Sequence, residues 1–174
     1  MFSNPEKNVA QLGLKEGMKV ADLGAGSGFY AKAAAKGVGH TGKVYAIEVQ
    51  KELVTKLEEE LKKWGTSNIE CVWGDIERKG ATKLADKTVD AVILSNVLFQ
   101  VEDKLGLLDE VKRIIKPEGQ ILLVDWIESF GGMGPTENNI ISKKEAESLF
   151  IKRGFKKEKD ITAGPHHYGI IFKV

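Results

Sequence analysis

The sequence holds a single cysteine, Cys71, in 174 residues. One thiol excludes an intrachain disulfide and any zinc site built on cysteines, and such scarcity points to a reducing compartment. Long apolar runs are missing too. Residues 91–94 and 121–124 are among the longest, far short of the roughly 20 residues that cross a bilayer. The start, Met1-Phe2-Ser3-Asn4-Pro5-Glu6-Lys7, lacks the basic-then-apolar pattern of a secretory leader. These absences together give the expectation of a cytoplasmic protein without a membrane partner. An excess of either charge is also lacking. The 26 Lys and Arg stand against 25 Asp and Glu, a net of +1, which excludes a strongly basic nucleic-acid binder on bulk electrostatics. Asp125, Asn138 and Asn139 are too loosely spaced to form a metal site, so none is expected.

What is present is a folded domain. Hydrophobic residues make up 42% and charged residues 29%, a globular balance. At roughly 100–200 residues per domain, the chain is one domain, 1–174. A chain of this size buries about 70% of its unfolded surface and needs no staples.

Short β-branched runs alternate with longer runs of 3.6-residue period. Strands are expected at 19–23, 43–48, 69–73, 89–95 and 120–125, with helices at 28–36, 51–63 and 103–115. Within 51–63, Leu53, Val54, Leu57 and Leu61 share one helical face, as an amphipathic helix requires. Asn4-Pro5-Glu6 opens a short helix within the N-terminal segment 1–14, with Asn as cap and Pro in the first turn. Pro117-Glu118-Gly119 reads as a turn, and Ser142 with Glu145 as a capping box opening a further helix. Two last strands, 155–161 and 168–174, are joined by too few residues for a helical crossover, so they pair antiparallel. The alternation implies an α/β fold: a doubly wound three-layer sandwich around a mostly parallel sheet. Residues 19–125 form its core and 142–174 a C-terminal helix and hairpin. Ligands of such sheets bind beyond the carboxyl ends of the strands.

The first strand runs into Asp22-Leu23-Gly24-Ala25-Gly26-Ser27-Gly28-Phe29. Glycines there let the chain turn sharply and let a ligand approach, and the next helix offers unpaired N–H groups. A dinucleotide site wants G-x-G-x-x-G; here the spacing is G-x-G-x-G and Phe29 stands at the third-glycine position. That bulk works against close helix packing beside a pyrophosphate, and Asp22 is a poor neighbour for one. An acid beside the loop suits a ligand with an ammonium or sulfonium centre.

With V-A-D-L-G-A-G-S-G-F at 20–29, Glu48 ending the second strand, Gly74-Asp75 ending the third, V-D-A-V-I-L-S-N at 89–96 and I-I-K-P-E-G-Q-I-L-L-V at 114–124, the chain resembles the class I S-adenosylmethionine-dependent methyltransferases. These elements span nearly the whole chain in the family's order. The resemblance implies a seven-stranded Rossmann-like sheet of order 3-2-1-4-5-7-6 with an antiparallel last strand. It also implies S-adenosyl-L-methionine as cofactor. Gly24, Gly26 and Gly28 would line its methionine moiety and Asp22 would hold its amino end. Glu48 would accept both ribose hydroxyls, since a carboxylate has two oxygens for a cis-diol. Val49 would flank the adenine, Asp75 would accept from its amino group and Ile76 would add an apolar contact. Ser95 and Asn96 would lie beside the methyl group.

The loop Ala163-Gly164-Pro165-His166-His167-Tyr168 is expected at the cofactor edge of the sheet. His166 or His167 there is the candidate catalytic base, since imidazole titrates near neutrality. His40 is expected at the opposite edge. Trp126, Met133, Tyr30 and Phe99 are candidates for an apolar acceptor wall. The acceptor is expected to be a small molecule. The N-P-P-Y type motif of nucleic-acid amine methylation is absent, Ser95-Asn96-Val97-Leu98 standing in its place, and the several cysteines of arsenic methylation are absent as well. A non-catalytic cofactor-binding protein remains an alternative, because methyl transfer demands few protein groups. A nicotinamide-dependent oxidoreductase is disfavoured by Phe29.

Overall fold

The structure is a computed structural model that describes residues 3–174. Met1 and Phe2 of the expected 1–14 segment lie outside the described residues. Helix α1 is Pro5–Ala10, with the Asn4 side chain accepting from the Lys7 N–H. The remaining elements alternate except that no helix separates β3 from β4: β1 Lys19–Leu23, α2 Phe29–Val38, β2 Lys43–Glu48, α3 Lys51–Trp64, β3 Ile69–Trp73, β4 Val89–Ser95, α4 Lys104–Ile114 and β5 Ile115–Trp126. A 3-10 turn at Glu137–Asn139, α5 Lys143–Lys152, β6 Lys156–Thr162 and β7 His167–Lys173 close the chain.

The seven strands form one sheet in the order β3-β2-β1-β4-β5-β7-β6. Strands β1 to β5 pair in parallel. Strand β7 runs antiparallel to both β5 and β6. The expected class and strand order are those observed. Successive residues on a strand face opposite ways, and the two cores follow that alternation. On one face Val20, Ala46, Ile93 and Leu122 meet Val9 of α1, the alanines of α2, and Leu57 and Leu61 of α3. On the other face Ala21, Ile47, Leu94 and Leu123 meet Leu107 and Val111 of α4 and Phe150 of α5. Phe150 stacks on Phe172 at 4.3 Å between centroids.

Element boundaries differ from the sequence expectation where ladder hydrogen bonds, rather than hydropathy, set them. Strand β5 begins at Ile115, not at 120. Val89 pairs with Ile115 and Ala91 with Gln120, so the Pro117–Gly119 turn is a bulge inside the strand, with Glu118 at φ +64°. Asp103 is the N-cap of α4, accepting from the Gly106 N–H at 2.8 Å, rather than its first residue. The last hairpin is displaced by one residue on each strand because Trp126 pairs with His167 and Thr162 with Tyr168. The capping box of α5 is formed as expected, with the Ser142 hydroxyl accepting from the Glu145 N–H and the Glu145 carboxylate accepting from the Ser142 N–H.

Beneath the sheet's carboxyl edge a buried carboxylate ties the 80–86 segment to α4. Glu110 is fully buried. Its oxygens accept from the Gly80 N–H at 2.8 Å, the Thr82 hydroxyl at 2.6 Å and the Arg113 guanidinium at 2.7 and 2.8 Å. Arg113 also donates to the Leu84 carbonyl and to Asp86. Burial alone would raise the Glu110 pKa, but the Arg113 pairing and the hydrogen bonds outweigh it and pull the pKa down to about 2.

Candidate functional site

The glycine loop begins where β1 ends. Gly24 has φ +75°, and a Cβ there would stand 2.7 Å from Val97 Cγ2. Gly28, at φ +76°, is the N-cap of α2, and a Cβ on it would overlap the Leu57 side chain. A side chain at either position would be strained by the backbone and would have to displace its neighbour. Gly26 differs: at φ +52° its Cβ position meets nothing closer than the Gly24 carbonyl at 4.0 Å, so its backbone borders open space.

Two cavities adjoin this loop and share Gly24, Gly26 and Gln100. One, of about 340 Å³, is lined by Glu48, Val49, Asp75 and Ile76 together with Leu53 and Val101. Glu48, at the end of β2, is buried. One of its oxygens accepts from the N–H groups of Val49 and Gln50 at 2.9 and 3.0 Å, and the other accepts from the Gly26 N–H at 3.1 Å. The carboxylate thus holds the glycine loop to the turn after β2 and still keeps acceptor capacity on the second oxygen. Asp75 is half-exposed. It accepts from the Glu77 N–H at 3.0 Å and pairs with Arg78 at 3.1 Å. Just outside, Trp73 donates its indole N–H to the Val49 carbonyl at 2.8 Å.

The second cavity, of about 450 Å³, has a polar floor and a largely apolar wall. The floor holds Asp22, Ser95 and Asn96 beside the glycine loop. Asp22 is 1% exposed, and its Oδ2 has no hydrogen-bond partner among the described residues. Burial pushes its pKa up to about 7; the Ala31 N–H pulls the other way, and the nearby Glu48 charge adds to the rise. Asn96 takes the left-handed conformation at φ +57° and its Oδ1 is likewise unpartnered. The backbone of this turn is held from below. Asp125 accepts from the Leu98 N–H at 3.0 Å and from the Trp126 N–H at 2.8 Å, and burial raises its pKa to about 6.

These two raised pKa values fix a pH dependence. An acid that holds its proton more tightly folded than unfolded stabilises the fold at low pH, and that contribution disappears as pH rises through the folded pKa. Unfolded aspartates titrate near ~4, so stability is expected to fall from about pH 4 to about pH 7. Urea midpoints measured from pH 4 to 8 should show this decline, and Asp22→Asn should flatten its upper half. A midpoint that rises over the same window in the wild type would contradict it.

The apolar wall is formed by Pro5, Phe29, Tyr30, Trp126 and Met133, with His167 among them. The structure separates the two candidate histidines. His167 lines the cavity with its ring 4.2 Å from that of Trp126. His166 lies outside it, with Nδ1 2.9 Å from Glu128 and its ring stacked on Phe130 at 4.0 Å. The structure likewise divides the glycines: Gly24 and Gly26 border the cavities, whereas Gly28 lies behind them against α3. Phe99 borders neither cavity, and His40 lies with Gly39, Gly65 and Asn68 in a different pocket, beside the start of β2.

Sequence reasoning missed Gln100 and Leu53 at these cavities; Ser3 and Pro5 fall in the 1–14 segment, which the sequence leaves for substrate recognition without singling them out. Gln100 spans both, with Nε2 donating to the Asn96 carbonyl at 2.8 Å. Its position five residues beyond the end of β4 carries no pattern that would have marked it. Among the described residues there is no cluster of His, Cys, Asp and Glu that could hold a metal, and no helix is long and apolar enough to cross a membrane.

Comparison with known proteins agrees with this geometry. A family profile described as a methyltransferase domain matches residues 14–160. A crystal structure of an S-adenosylmethionine-dependent methyltransferase from Aquifex aeolicus superposes with a TM-score of 0.90 and 32% identity, covering 99% of this chain and 90% of that one. The arsenite methyltransferase of Halobacterium salinarum is 31% identical over 113 residues, 65% of this chain and 28% of that protein. The demethylmenaquinone methyltransferase of Bacillus subtilis is 28% identical over 120 residues, 69% of this chain and 50% of that protein. The chain thus spans half or less of the length of these two relatives.

Proposed function

This chain belongs to the S-adenosylmethionine-dependent methyltransferase family, and from that premise we propose that it transfers a methyl group from S-adenosyl-L-methionine to a small-molecule acceptor. One observation carries the reading: a fully buried carboxylate oxygen, Asp22 Oδ2, stands without a partner among the described residues on the floor of a cavity that the glycine loop opens. A buried, unsatisfied acceptor is costly unless a ligand completes it. A cationic group answers both its charge and its missing hydrogen bond, and it favours the ionised form over the protonated one.

The residues present fit the cofactor. Glu48, beside a cavity of nucleoside scale, offers a buried carboxylate for a cis-diol, with Val49 and Ile76 as apolar flanks and Asp75 at the far end. Gly24 and Gly26 leave the backbone bare next to Asp22, and Ser95 and Asn96 complete the floor. Gly28 shapes the loop by capping α2. When bound, the cofactor supplies an electrophilic methyl on a sulfonium, a leaving group that needs no further activation by the protein.

The protein's own work is therefore positioning and exclusion of water. Trp126, Tyr30 and Met133 wall the acceptor half of the cavity. His167, inside that wall, is the group placed to receive a proton from an acceptor that arrives protonated. His166 instead fastens the 127–135 loop through Glu128 and Phe130.

Calorimetry tests the reading. S-adenosylhomocysteine is expected to bind, and NAD is not, because Phe29 stands where a dinucleotide loop needs its third glycine. Binding of NAD alone would overturn the assignment. Binding of S-adenosylhomocysteine, with no methyl incorporation when metabolite extracts are supplied with labelled cofactor, would favour a non-catalytic binding role on the same fold.

A further inference from the structure

The acceptor wall contains a hydrogen-bond arrangement whose donors and acceptors can be counted. Asn8 is 1% exposed. Its Nδ2 donates to Ser3 Oγ at 2.9 Å and to Tyr30 Oη at 2.8 Å, which uses both amide hydrogens. Ser3 Oγ and Tyr30 Oη lie 2.9 Å from each other. Both hydroxyls accept from Asn8, and one of them donates to the other. Each hydroxyl carries one hydrogen, so one hydroxyl hydrogen of the pair is left over. Ser3 and Tyr30 both line the 450 Å³ cavity.

The rest of the outer wall narrows what that hydrogen can meet. Pro5, Phe29, Trp126 and Met133 are apolar, and among the described residues no Lys, Arg or Glu lines the cavity, His167 being its one basic side chain. Among the described residues its only carboxylate is Asp22, on the cofactor side of the floor. An anionic acceptor would find no permanently charged Lys or Arg there, only the His167 imidazole, and a cationic one would compete for the acid that the cofactor's amino end needs. A desolvated charge without a partner is strongly disfavoured. Apolar and aromatic walls with a few placed polar groups form the usual shape of a small-ligand site, and the rings of Phe29, Tyr30 and Trp126 on this wall suit a flat, largely apolar ligand.

We propose that the Asn8–Ser3–Tyr30 cluster is the acceptor-recognition element of this site, donating its one surplus hydroxyl hydrogen to the oxygen of an uncharged aromatic molecule held against Trp126. The proposal rests on the methyltransferase reading for the identity of the ligand as acceptor, but the recognition chemistry stands on the cavity itself. It also makes the N-terminal segment part of the specificity site, since α1 contributes Asn8 and the residues just before it contribute Ser3.

Ser3→Ala leaves the Tyr30 hydroxyl accepting from Asn8 and donating into the cavity. Tyr30→Phe leaves Ser3 in the same position. Each single variant keeps a donor, and only the double variant loses it. Ligand-observed NMR on the full chain, with acetophenone, benzoate and benzylamine as probes of similar shape, tests both parts. Acetophenone is expected to bind at least about tenfold more tightly than either charged probe. Each single variant should change its affinity less than about threefold, and the double variant should weaken it about tenfold.

Benzoate or benzylamine binding as well as acetophenone would overturn the proposal. So would a double variant that binds like the wild type, or a single variant that loses as much as the double. Selectivity among the probes is read on the wild-type protein and the single variants are read separately, so both parts stay open to refutation even if the double variant fails to fold. Calorimetry with S-adenosylhomocysteine on the wild type, run in parallel, keeps the two readings apart. Its failure would overturn the methyltransferase assignment and leave the probe results standing; its success with unselective probes would overturn only the acceptor class.

Discussion

Replacing Glu48 by alanine is expected to weaken S-adenosylhomocysteine binding by at least tenfold, and by on the order of a hundredfold where both ribose hydroxyls are held. A hydrogen bond to a charged group contributes about 1.5–3 kcal/mol, and each ~1.4 kcal/mol is tenfold in affinity. The structure adds a second route to the same loss. The carboxylate also accepts from the N–H groups of Gly26, Val49 and Gln50, so alanine would release the glycine loop from the turn after β2. Glu48→Gln separates the two contributions. It keeps one carbonyl oxygen for the backbone donors but removes the charge and one acceptor. An intermediate loss is expected for it, measured by calorimetry at constant ionic strength. Wild-type affinity in Glu48→Ala would remove this residue from the site.

Glu110→Ala is expected to cost about 3–5 kcal/mol of folding stability, the range for breaking a buried ion pair from one side. Arg113, with a side chain only 13% exposed, would keep Asp86 and the Leu84 carbonyl but lose the buried carboxylate that takes two of its N–H groups. The N–H of Gly80 and the hydroxyl of Thr82 would lose their acceptor as well. Urea denaturation should show the shift at pH 7. Glu110 holds its charge far below the ordinary carboxylate range. An acid whose pKa is lowered by folding contributes stability above its unfolded pKa and loses it as pH falls through the folded value. The Glu110 contribution should thus fade between about pH 4.5 and about pH 2, below the window in which Asp22 and Asp125 act. The Glu110→Ala variant should approach the wild type as the pH nears 2. An undiminished gap at that pH would show that lost packing, not the charge, explains the effect.

Glu110 and Glu48 differ in how visible they are in the chain. Glu48 ends a β-branched strand two elements after a glycine loop, and that position in an alternating pattern identifies it. Glu110 sits within an amphipathic helix beside Asp109 and Lys112, where an acid ordinarily faces water. Its burial depends on the 80–86 segment folding across α4, thirty residues away in the chain, and no local pattern reports that contact. The same holds for Asn8, whose partner Tyr30 lies 22 residues on. Its sequence context is only that of a short, capped helix.

The histidines make the point at shortest range. His166 and His167 are adjacent and chemically identical, and nothing in the sequence distinguishes them. Pairing of β7 with β5 places His167 opposite Trp126, on the cavity side. His166, still in the connection, turns to Glu128 and Phe130. Because neighbouring strand residues face opposite ways, a register difference of one residue would have exchanged their roles.

The amino-acid sequence by itself determined the succession of strands and helices, the class of fold, the glycine turn and the acids at the ends of β1, β2 and β3. Those features follow from hydrophobic periodicity, from capping residues and from glycines in backbone conformations other residues avoid, all of which act over a few neighbouring positions. Only the tertiary structure decided that Asp22 keeps an unpartnered oxygen on a cavity floor, that one histidine of two enters that cavity, and that Ser3, Asn8 and Tyr30 meet on its wall. Each of these depends on strand register or on the packing of segments distant in sequence, where burial and hydrogen-bond geometry are properties of the assembled fold and of no single stretch of chain.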